Sequence, residues 1–315
     1  MVAAFQKALI TGGAGFIGSH IAGELVGRGC RVTVLDNLAS GHLVNLEAVR
    51  SSVNFIKGDI QDEDILTKAI QGCDVVFHQA AVVSVTKTVE EPVQSATVND
   101  LGTLMVLDAA RRNGVKRVVL ASSSAVYGDD PQLPKVESMP AQPQSPYAVQ
   151  KLTNEYYALL YNRLYGLETV CLRYFNVYGP RQDPSSPYSG VISIFMTRAK
   201  CGAAPVIYGD GRQSRDFVFV KDVVQANLLA AGSPTAPGQV FNVGTGKNIE
   251  INMLWDKIAD LAQCSAAPEY ADSRPGDIVH SVAGIQKIRD RLGFSPSVPL
   301  EQGLAHTFAW YRGQI

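Results

Sequence analysis

The chain has 315 residues, and its 28 Lys and Arg residues balance 29 Asp and Glu residues to a net charge of −1. Hydrophobic residues make up 46% and charged residues 18%, which is typical of a globular protein with a large apolar core. This length predicts two domains, or one large α/β domain with a smaller lobe. The balanced charge argues against a general binder of nucleic acid or anionic membranes, because both need a basic surface, but it allows small anionic ligands held by a few arginines.

The cysteines and histidines give no sign of a disulfide framework or a metal site. The five cysteines lie far apart without a Cys-x-x-Cys spacing, which favours a reduced, cytoplasmic setting. The five histidines are scattered without ligand spacing, so we predict no bound metal. No run approaches the ~18 apolar residues of a membrane span. The uncharged stretch 8–23 contains five glycines and is a poor signal-peptide core, so we expect a soluble protein.

Short apolar strands alternate with helical stretches through the first half of the chain. The pattern predicts strands at 7–11, 31–36, 53–57, 74–78, 116–121 and 169–173, and helices at 15–28 and 93–113. Strands separated by helices favour right-handed βαβ crossovers, hence a parallel sheet covered on both faces. The fold class is therefore α/β, with a Rossmann-type doubly wound parallel sheet.

The regular pattern breaks after residue 176. Residues 179–187 are rich in Gly, Pro and Ser and predict a loop, whereas 216–231 and 239–243 return to helix or strand patterns. We predict a nucleotide-binding domain over 1–175, with later returns near 216–243. A smaller and discontinuous C-terminal lobe over 176–315 would hold the substrate.

A glycine-rich loop follows the first predicted strand and opens the first helix. Its glycines Gly12, Gly15 and Gly18 allow a tight turn and let backbone N–H groups approach a pyrophosphate at the helix N-terminus. Asp36 ends the second strand, where a carboxylate accepts from the adenosine ribose hydroxyls and repels a 2′-phosphate. The pattern predicts a dinucleotide, with NAD favoured over NADP. The alternative is a glycine-rich turn without a ligand.

Two further strand ends meet the same edge of the predicted sheet. Asp59 and Ile60 close the third strand, where they could reach the adenine. Gln79, Ala80 and Ala81 follow the fourth strand, and their small side chains would let the cofactor lie close. Both segments support a dinucleotide at this edge.

A Tyr-x-x-x-K pattern and a run of serines predict a site for oxidation and reduction. Tyr147 and Lys151 are four residues apart and share one face of a helix. Ser122, Ser123 and Ser124 follow the fifth strand, next to the crevice. A nearby ammonium and a positively charged nicotinamide both favour the phenolate, which lowers the pKa of a tyrosine. We expect Tyr147 as base, Lys151 as its electrostatic partner and Ser124 as the hydroxyl relay.

Together, the glycine loop, Asp36, Ser124, Tyr147 and Lys151 resemble the extended short-chain dehydrogenase/reductase family over nearly the whole chain. Within it the chain is similar to the NAD-dependent UDP-sugar 4-epimerases, and most to the branch that acts on N-acetylated UDP-hexosamines. The segments 133–137, 173–179 and 181–184 carry this resemblance. It implies NAD as cofactor and a UDP-sugar as substrate.

The reaction that the resemblance implies leaves NAD unchanged overall. Tyr147 takes the proton of the C4 hydroxyl as the C4 hydride passes to NAD. The 4-keto sugar then turns, and the hydride and the proton are returned on its other face. Related dehydratases carry an Asp-Glu pair after the catalytic hydroxyl residue, and related decarboxylases a Glu. The sequence here reads Ser124-Ala125-Val126, without either acid, which favours epimerisation.

The family resemblance also implies binding residues. Those for the cofactor are Gly12, Gly15, Phe16, Ile17, Gly18, Asp36, Asn37, Asp59, Ile60, Gln79, Ala80, Ala81, Asn99, Ser122, Tyr147, Lys151 and Tyr174. Those for the UDP-sugar are Ser84, Ser123, Ser124, Tyr147, Asn176, Gln182, Gly190, Val191, Tyr208, Arg215, Arg274, Asp277 and Ser281. Arg215 and Arg274 match the family's diphosphate-binding arginines, whose guanidinium forks suit a phosphate.

Ser281 falls where the family has a gatekeeper beside the sugar. A tyrosine there restricts the pocket to plain hexoses, whereas Ser leaves room for an N-acetyl group. We therefore expect UDP-GlcNAc and UDP-GalNAc as substrates, with UDP-Glc and UDP-Gal also accepted. Val83 replaces the glycine expected in the closest hexosamine-acting relatives, which weakens a strict N-acetyl preference.

The sequence leaves two alternative functions open, and the resemblance implies a second copy of the chain as partner. A UDP-uronic acid 4-epimerase would share the Ser, Tyr and Lys core, and an inactive NAD-sensing relative would use only the cofactor site. The resemblance implies a homodimer formed through helices near 93–113 and 145–165. Nucleic acid and membrane partners are not expected.

Overall fold

The computed structural model describes residues 5–183, 190–273 and 279–313 of the chain. The strands in these ranges are β1 Lys7–Thr11, β2 Arg31–Asp36, β3 Val53–Lys57, β4 Val75–His78, β5 Arg117–Ser123, β6 Glu168–Tyr174, β7 Asn176–Tyr178, β8 Val206–Tyr208, β9 Ser214–Arg215, β10 Phe217–Phe219, β11 Gln239–Val243, β12 Ile249–Glu250 and β13 Glu269–Ala271. Each strand that the sequence predicts is present: the first three have the predicted bounds, and the ends of the other three differ by at most two residues.

Helices connect most of these strands. The α-helices are α1 Phe16–Gly27, α2 Glu63–Ile70, α3 Val85–Glu90, α4 Pro92–Ala96, α5 Gly102–Arg112, α6 Pro146–Tyr165, α7 Val191–Lys200, α8 Val220–Gly232, α9 Ile251–Ala262, α10 Gln286–Leu292 and α11 Leu300–Arg312. Short 3₁₀ segments lie at Leu43–Ser52 and Ser124–Tyr127. In the described part of the chain, none of the helices has the length and apolar character needed to cross a lipid bilayer.

Seven parallel strands form the central sheet in the order β11-β6-β5-β4-β1-β2-β3. The order runs outward in both directions from β1 and β4, so the connections cross over on both faces of the sheet. All strands therefore end at the same edge, where parallel sheets of this type bind ligands. The predicted Rossmann-type fold is confirmed.

The two faces of the sheet bury separate apolar clusters. On one face, Ile21 of α1 and Val223 of α8 pack against the sheet with no exposed surface. On the other face, Leu66 of α2, Val106 of α5 and Ala158 of α6 do the same. Because every strand is covered on both sides, its apolar run need not alternate with polar residues. The sheet is therefore a fixed platform for the loops at its carboxyl edge.

The later part of the chain contributes both to the sheet and to a lobe with its own core. Strand β11 lies beside β6 at the edge of the main sheet. A third cluster joins α7, α9 and α11, and its ring contact between Phe195 and Trp255 has a centroid distance of 5.4 Å. The strand pairs β7–β10, β8–β13 and β9–β12 lie outside the main sheet. The division into two domains stays a prediction, although β11 returns within the range expected for such a crossing.

A π-helical turn at Thr97–Leu101 joins α4 to α5, within the long helix that the sequence predicts. Such turns shift a helix by one residue and are frequent at functional sites. Here the turn holds Asn99, whose buried amide bonds both backbone groups of Val82, at 2.7 and 3.0 Å, and the Gln150 side chain at 2.7 Å. The turn thus anchors the loop after β4 to the sheet edge.

Candidate active site

The glycine loop makes close backbone contacts that side chains would prevent. Gly12 has a φ of +68°, and a Cβ there would lie 2.7 Å from the backbone nitrogen of Ala80. A Cβ on Gly18 would lie 2.3 Å from the carbonyl oxygen of Gly12. Gly15 precedes α1 without a side-chain cap, and the first turn of α1 carries no acidic residue. The helix N-terminus is therefore suited to an anion.

Asp36 joins the glycine loop to the end of β2. Its carboxylate is buried and accepts hydrogen bonds from the backbone N–H of Ala14 at 2.9 Å and of Leu38 at 2.8 Å. Leu38 adopts a φ of +63°, so the chain turns sharply after the strand. Asp59, at the end of β3, accepts from the Asn37 amide at 2.8 Å. These contacts fix two carboxylates beside the glycine loop.

A cavity of about 550 Å³ runs along the carboxyl edge of the sheet. Its wall contains every predicted cofactor-binding residue except Asn99, which lies behind it and supports Val82. Residues that the sequence analysis did not single out also line it, among them Asn45, Val98 and Arg181. The structure thus gathers the predicted cofactor residues into one continuous site.

His78 stabilises the cofactor side of the cavity from within the sheet. The Thr103 hydroxyl donates to the carbonyl of Asn99 at 2.6 Å, so it accepts from Nε2–H of His78 at 2.9 Å. Nδ1 then accepts from the Thr11 hydroxyl at 2.7 Å. Burial lowers the pKa of His78 to about 3, which keeps the ring neutral. The ring is a structural link between β1, β4 and α5.

Ser123, rather than Ser124, lies against Tyr147. Ser123 lies close enough to the Tyr147 phenol to oppose the rise of its pKa, and both residues line the cavity. Strand β5 ends at Ser123, whereas Ser124 begins the following 3₁₀ turn and does not belong to the described cavity wall. The prediction of Ser124 as the hydroxyl partner of Tyr147 is therefore wrong by one residue. The two residues after Ser123 are Ser124 and Ala125, so the absence of an acid there still holds.

Lys151 lies one helical turn beyond Tyr147 on α6. Its Nζ donates to the carbonyl of Ala121 at 2.9 Å and lies 5.8 Å from the centroid of the Tyr147 ring. Burial lowers the pKa of Lys151 to about 8, and the partly buried Asp100 carboxylate opposes this shift. Lys151 is therefore a mostly charged ammonium at neutral pH, held beside the tyrosine.

The pKa of Tyr147 differs from the sequence-based expectation. Burial raises the pKa of its phenol to about 12, and the hydrogen bond with Ser123 opposes the rise. The expectation was a lowered pKa, caused by Lys151 and a cationic nicotinamide. Protein groups alone thus leave the phenol protonated, since desolvation outweighs them. The oxidised nicotinamide is the cation that would favour the phenolate when NAD is bound.

A buried network anchors the catalytic helix to the sheet. Glu155, eight residues after Tyr147 on α6, accepts from the Ser122 hydroxyl at 2.5 Å and from the Arg173 guanidinium at 2.7 and 2.8 Å. Arg173 also lies over the Tyr127 ring, 4.7 Å from its centroid. Tyr147, Lys151 and Glu155 thus contact three successive positions at the end of β5. Neither Glu155 nor Arg173 was predicted as a site residue, although the spacing of eight residues places Glu155 on the catalytic face of α6.

The predicted substrate residues fall into two groups. Gln182 and Gly190 line the cavity together with Ser123 and Tyr147, and so does Val83, which is 63% exposed. Ser84, Val191 and Tyr208 are not part of the described cavity wall. The Ser84 hydroxyl caps α3 by accepting from Lys87 N–H at 3.0 Å.

Asn176, Arg215 and Ser281 do not line the cavity but gather around the segment 214–216. The Asn176 amide donates to the carbonyl of Asp216 at 3.1 Å. Arg215 donates to the carbonyl of Val279 at 3.2 Å, and Ser281 N–H to that of Ser214 at 3.0 Å. The structure therefore brings these three predicted residues together. Arg274 and Asp277, which were both predicted to bind the UDP-sugar, lie outside the described residues.

Comparisons with known proteins define the class. The sequence model of the NAD dependent epimerase/dehydratase family matches residues 8–244. A curated UDP-glucose 4-epimerase of Mycolicibacterium smegmatis is 41% identical, over 98% of this chain and 99% of its own length. The chain belongs to the NAD dependent epimerase/dehydratase family.

Solved structures agree with this assignment. A UDP-N-acetylglucosamine 4-epimerase from Methanobrevibacter ruminantium, in complex with UDP-N-acetylmuramic acid, is 43% identical with a TM-score of 0.95, covering 98% of this chain and 99% of its own. A UDP-glucose 4-epimerase from Thermus thermophilus, in complex with NAD, is 40% identical with a TM-score of 0.89, covering 98% and 100%. The cofactor of the chain is NAD.

The residues of the cavity fit NAD. The free N-terminus of α1 suits its diphosphate, the buried Asp36 carboxylate suits a ribose hydroxyl pair, and the backbone cradle at Gly12 and Gly18 excludes any side chain. Within 5–183, 190–273 and 279–313, no three His, Cys, Asp or Glu side chains gather as a metal site requires.

Proposed function

We propose that the chain inverts C4 of a UDP-hexose through a 4-keto intermediate and keeps its NAD bound during turnover. The observation that carries this proposal is the placement of Tyr147, Ser123 and Lys151 along one edge of the dinucleotide cavity. When bound, NAD supplies the acceptor for the C4 hydride and returns that hydride to the same carbon. A cofactor that is regenerated in every cycle has no need to leave.

The protein groups then have separate tasks. Tyr147 removes the proton of the C4 hydroxyl and later returns it to the other face of the sugar. The Ser123 hydroxyl bonds the phenol and stabilises its ionised form. Lys151, fixed to the carbonyl of Ala121, adds a positive charge beside the ring.

The residues after Ser123 favour epimerisation over elimination or decarboxylation. Dehydration of the 4-keto sugar needs an acid to protonate the leaving hydroxyl and a base to remove a C5 proton. Ser124 and Ala125 provide neither at the positions where the family resemblance implies such acids. Return of the hydride is therefore the route that these positions favour for the 4-keto sugar.

The proposed substrates are UDP-GlcNAc and UDP-GalNAc, with UDP-Glc and UDP-Gal also accepted. Ser281 supports this choice, because its side chain is small and buried and its backbone N–H bonds the carbonyl of Ser214, next to Arg215. The test is a panel of UDP-GlcNAc, UDP-Glc and UDP-glucuronic acid, incubated without added reductant and analysed for C4 epimers. Turnover of UDP-glucuronic acid alone would favour the uronic acid epimerase instead, and turnover of none would sink the proposal.

Replacing the proposed gatekeeper should separate the two substrate classes. In Ser281→Tyr, the larger ring should abolish turnover of UDP-GlcNAc but spare that of UDP-Gal. A Ser281→Ala variant controls for the loss of the hydroxyl, since alanine adds no volume. An equal fall of both activities in Ser281→Tyr would contradict the gatekeeper role.

We also propose a homodimer formed by a second copy of the chain on the face of α4, α5 and α6. An apolar stripe follows α6 at Val149, Tyr156, Leu160 and Leu164, which are 38–60% exposed. Val93, 81% exposed, continues the exposed apolar surface on α4. The spacing of seven and four residues is that of helix–helix packing seams. Sedimentation at micromolar concentration should give twice the chain mass, and a monomer there would contradict the dimer.

The free thiols of all five cysteines support the proposed cytoplasmic location.

A further inference from the structure

Arg181 lines the dinucleotide cavity, although the mechanism does not use it. It follows β7 and is half-buried. Its backbone has a φ of +69°, in the left-handed region that residues with a Cβ rarely adopt. A residue keeps such a conformation only where its surroundings hold it, and such residues cluster at ligand sites.

Three contacts hold the segment 180–183 in place. His20 of α1 donates from Nε2–H to the carbonyl of Pro180 at 2.9 Å. The Tyr311 hydroxyl of α11 donates to the carbonyl of Gln182 at 2.9 Å. The carboxylate of Asp183 lies 3.5 Å from Nε2 of His42. The segment is therefore fixed at both ends and in the middle.

Two of these contacts lie on elements that flank the glycine loop. His20 is one turn after Phe16, the first residue of α1. His42 follows β2, and its backbone N–H donates to the carbonyl of Ala14 at 3.0 Å. The segment 180–183 thus crosses from the start of α1 towards the loop after β2. This path runs along the part of the cavity that the glycine loop lines.

The guanidinium of Arg181 has no counter-charge in the described ranges 5–183, 190–273 and 279–313. No hydrogen bond or ion pair of its side chain is found there, and burial lowers the pKa of the group. Its positive charge, after burial itself, helps to lower the pKa of His20 to about 4. A desolvated cation without a partner is costly, so its retention in a ligand cavity points to an anionic ligand. A guanidinium fork suits a diphosphate.

We propose that Arg181 supplies a second positive group, in addition to the N-terminus of α1, for the diphosphate of NAD. The proposal deepens the cofactor site and rests on the proposed function. Two diphosphates would enter this cavity, that of NAD and that of the UDP-sugar. The anchors at His20 and His42 favour NAD, because both flank the glycine loop. Arg181 is then a reason why the cofactor stays bound during turnover.

The test measures release of bound cofactor from the purified holoenzyme. Arg181→Gln removes the charge at similar length, Arg181→Lys keeps a charge without the fork, and Arg198→Gln removes an exposed arginine on α7 as a matched control. Each protein is loaded with NADH and diluted into excess NAD, and the loss of nicotinamide fluorescence gives the release rate. Charged hydrogen bonds of this kind are worth ~10- to 100-fold. Release should therefore accelerate by that factor in Arg181→Gln, less in Arg181→Lys and not in Arg198→Gln.

A second arm identifies the ligand. Inhibition of epimerase turnover by UDP reports the affinity for the substrate diphosphate, and it should be unchanged in Arg181→Gln. Weaker inhibition by UDP with an unchanged NADH release rate would overturn the proposal, because Arg181 would then serve the sugar nucleotide. Unchanged values in both arms would overturn it as well. A wild-type protein that holds no NAD and epimerises no UDP-hexose would instead fail the proposed function, so the two failures are distinguishable.

Discussion

The two ends of the cavity are held by different kinds of contact. The cofactor side consists of the glycine loop, Asp36, the 78–81 segment, Lys151 and Tyr174. Here two polar side chains have partners within the protein: Tyr174 donates to the buried Asn227 at 3.0 Å, and Lys151 to a backbone carbonyl at 2.9 Å. The groups that would surround NAD are therefore pre-positioned, which reduces the entropy lost on binding.

The predicted sugar side comes from separate segments of the chain. Gln182 and Gly190 line the cavity, whereas Asn176, Arg215 and Ser281 lie outside its wall. Buried Oε1 of Gln182 has no hydrogen-bond partner in the described part of the chain. Gly190 contributes no side chain. We expect such a site to hold the hexose loosely enough for the sugar to present both faces of C4. The comparison therefore predicts a firm cofactor site joined to a more permissive sugar site.

The sharpest way to separate the two sides is Tyr147→Phe. Removing the phenolic hydroxyl should lower kcat by ~10²- to 10⁴-fold, the range for a general base, while the NAD content of the purified protein stays unchanged. Tyr165→Phe, at the exposed end of α6, is the matched control. Loss of bound NAD in Tyr147→Phe would show that the two sides are not separable.

Burial of the Lys151 ammonium on the cofactor side should lower the free energy of unfolding, and this cost can be measured. Its pKa of about 8 lies below the ordinary value of 10.5, so between these pH values the unfolded chain binds more protons than the folded one. The stability of the wild type should therefore rise with pH through this window relative to Lys151→Met, by up to about 3 kcal/mol. Urea unfolding of both proteins from pH 7 to pH 10.5 measures the difference, with exposed Lys116→Met as control. A difference that is flat with pH would contradict the buried ammonium.

The smallest expected effect comes from replacing Ser123 or Ser124, which tests which of the two serines is the partner of Tyr147. Ser123→Ala should lower kcat by ~10- to 100-fold, because it removes the hydrogen bond to the phenolate. Ser124→Ala should change kcat less than twofold. Steady-state kinetics on the same UDP-sugar compares them. The reverse order would restore Ser124 as the partner of Tyr147.

Local sequence patterns predicted the parts of the site that depend on local backbone. The turn at Gly12, the acid ending β2 and the Tyr147–Lys151 spacing each follow from a few neighbouring residues. The serine partner was misassigned because three consecutive serines are chemically identical, and only the end of β5 distinguishes them. Arg181 and Glu155 escaped prediction because their roles depend on long-range burial. No local signal tells a half-buried arginine from a solvated one.

The most direct test of the account follows the hydrogen at C4. UDP-GlcNAc carrying deuterium at C4 is incubated with the purified protein in ordinary water, without added NAD or reductant. The account predicts UDP-GalNAc that retains the deuterium at C4, because the hydride leaves and returns within one site while solvent supplies only the hydroxyl proton. Product with hydrogen at C4, or no epimer from any UDP-hexose, would contradict it.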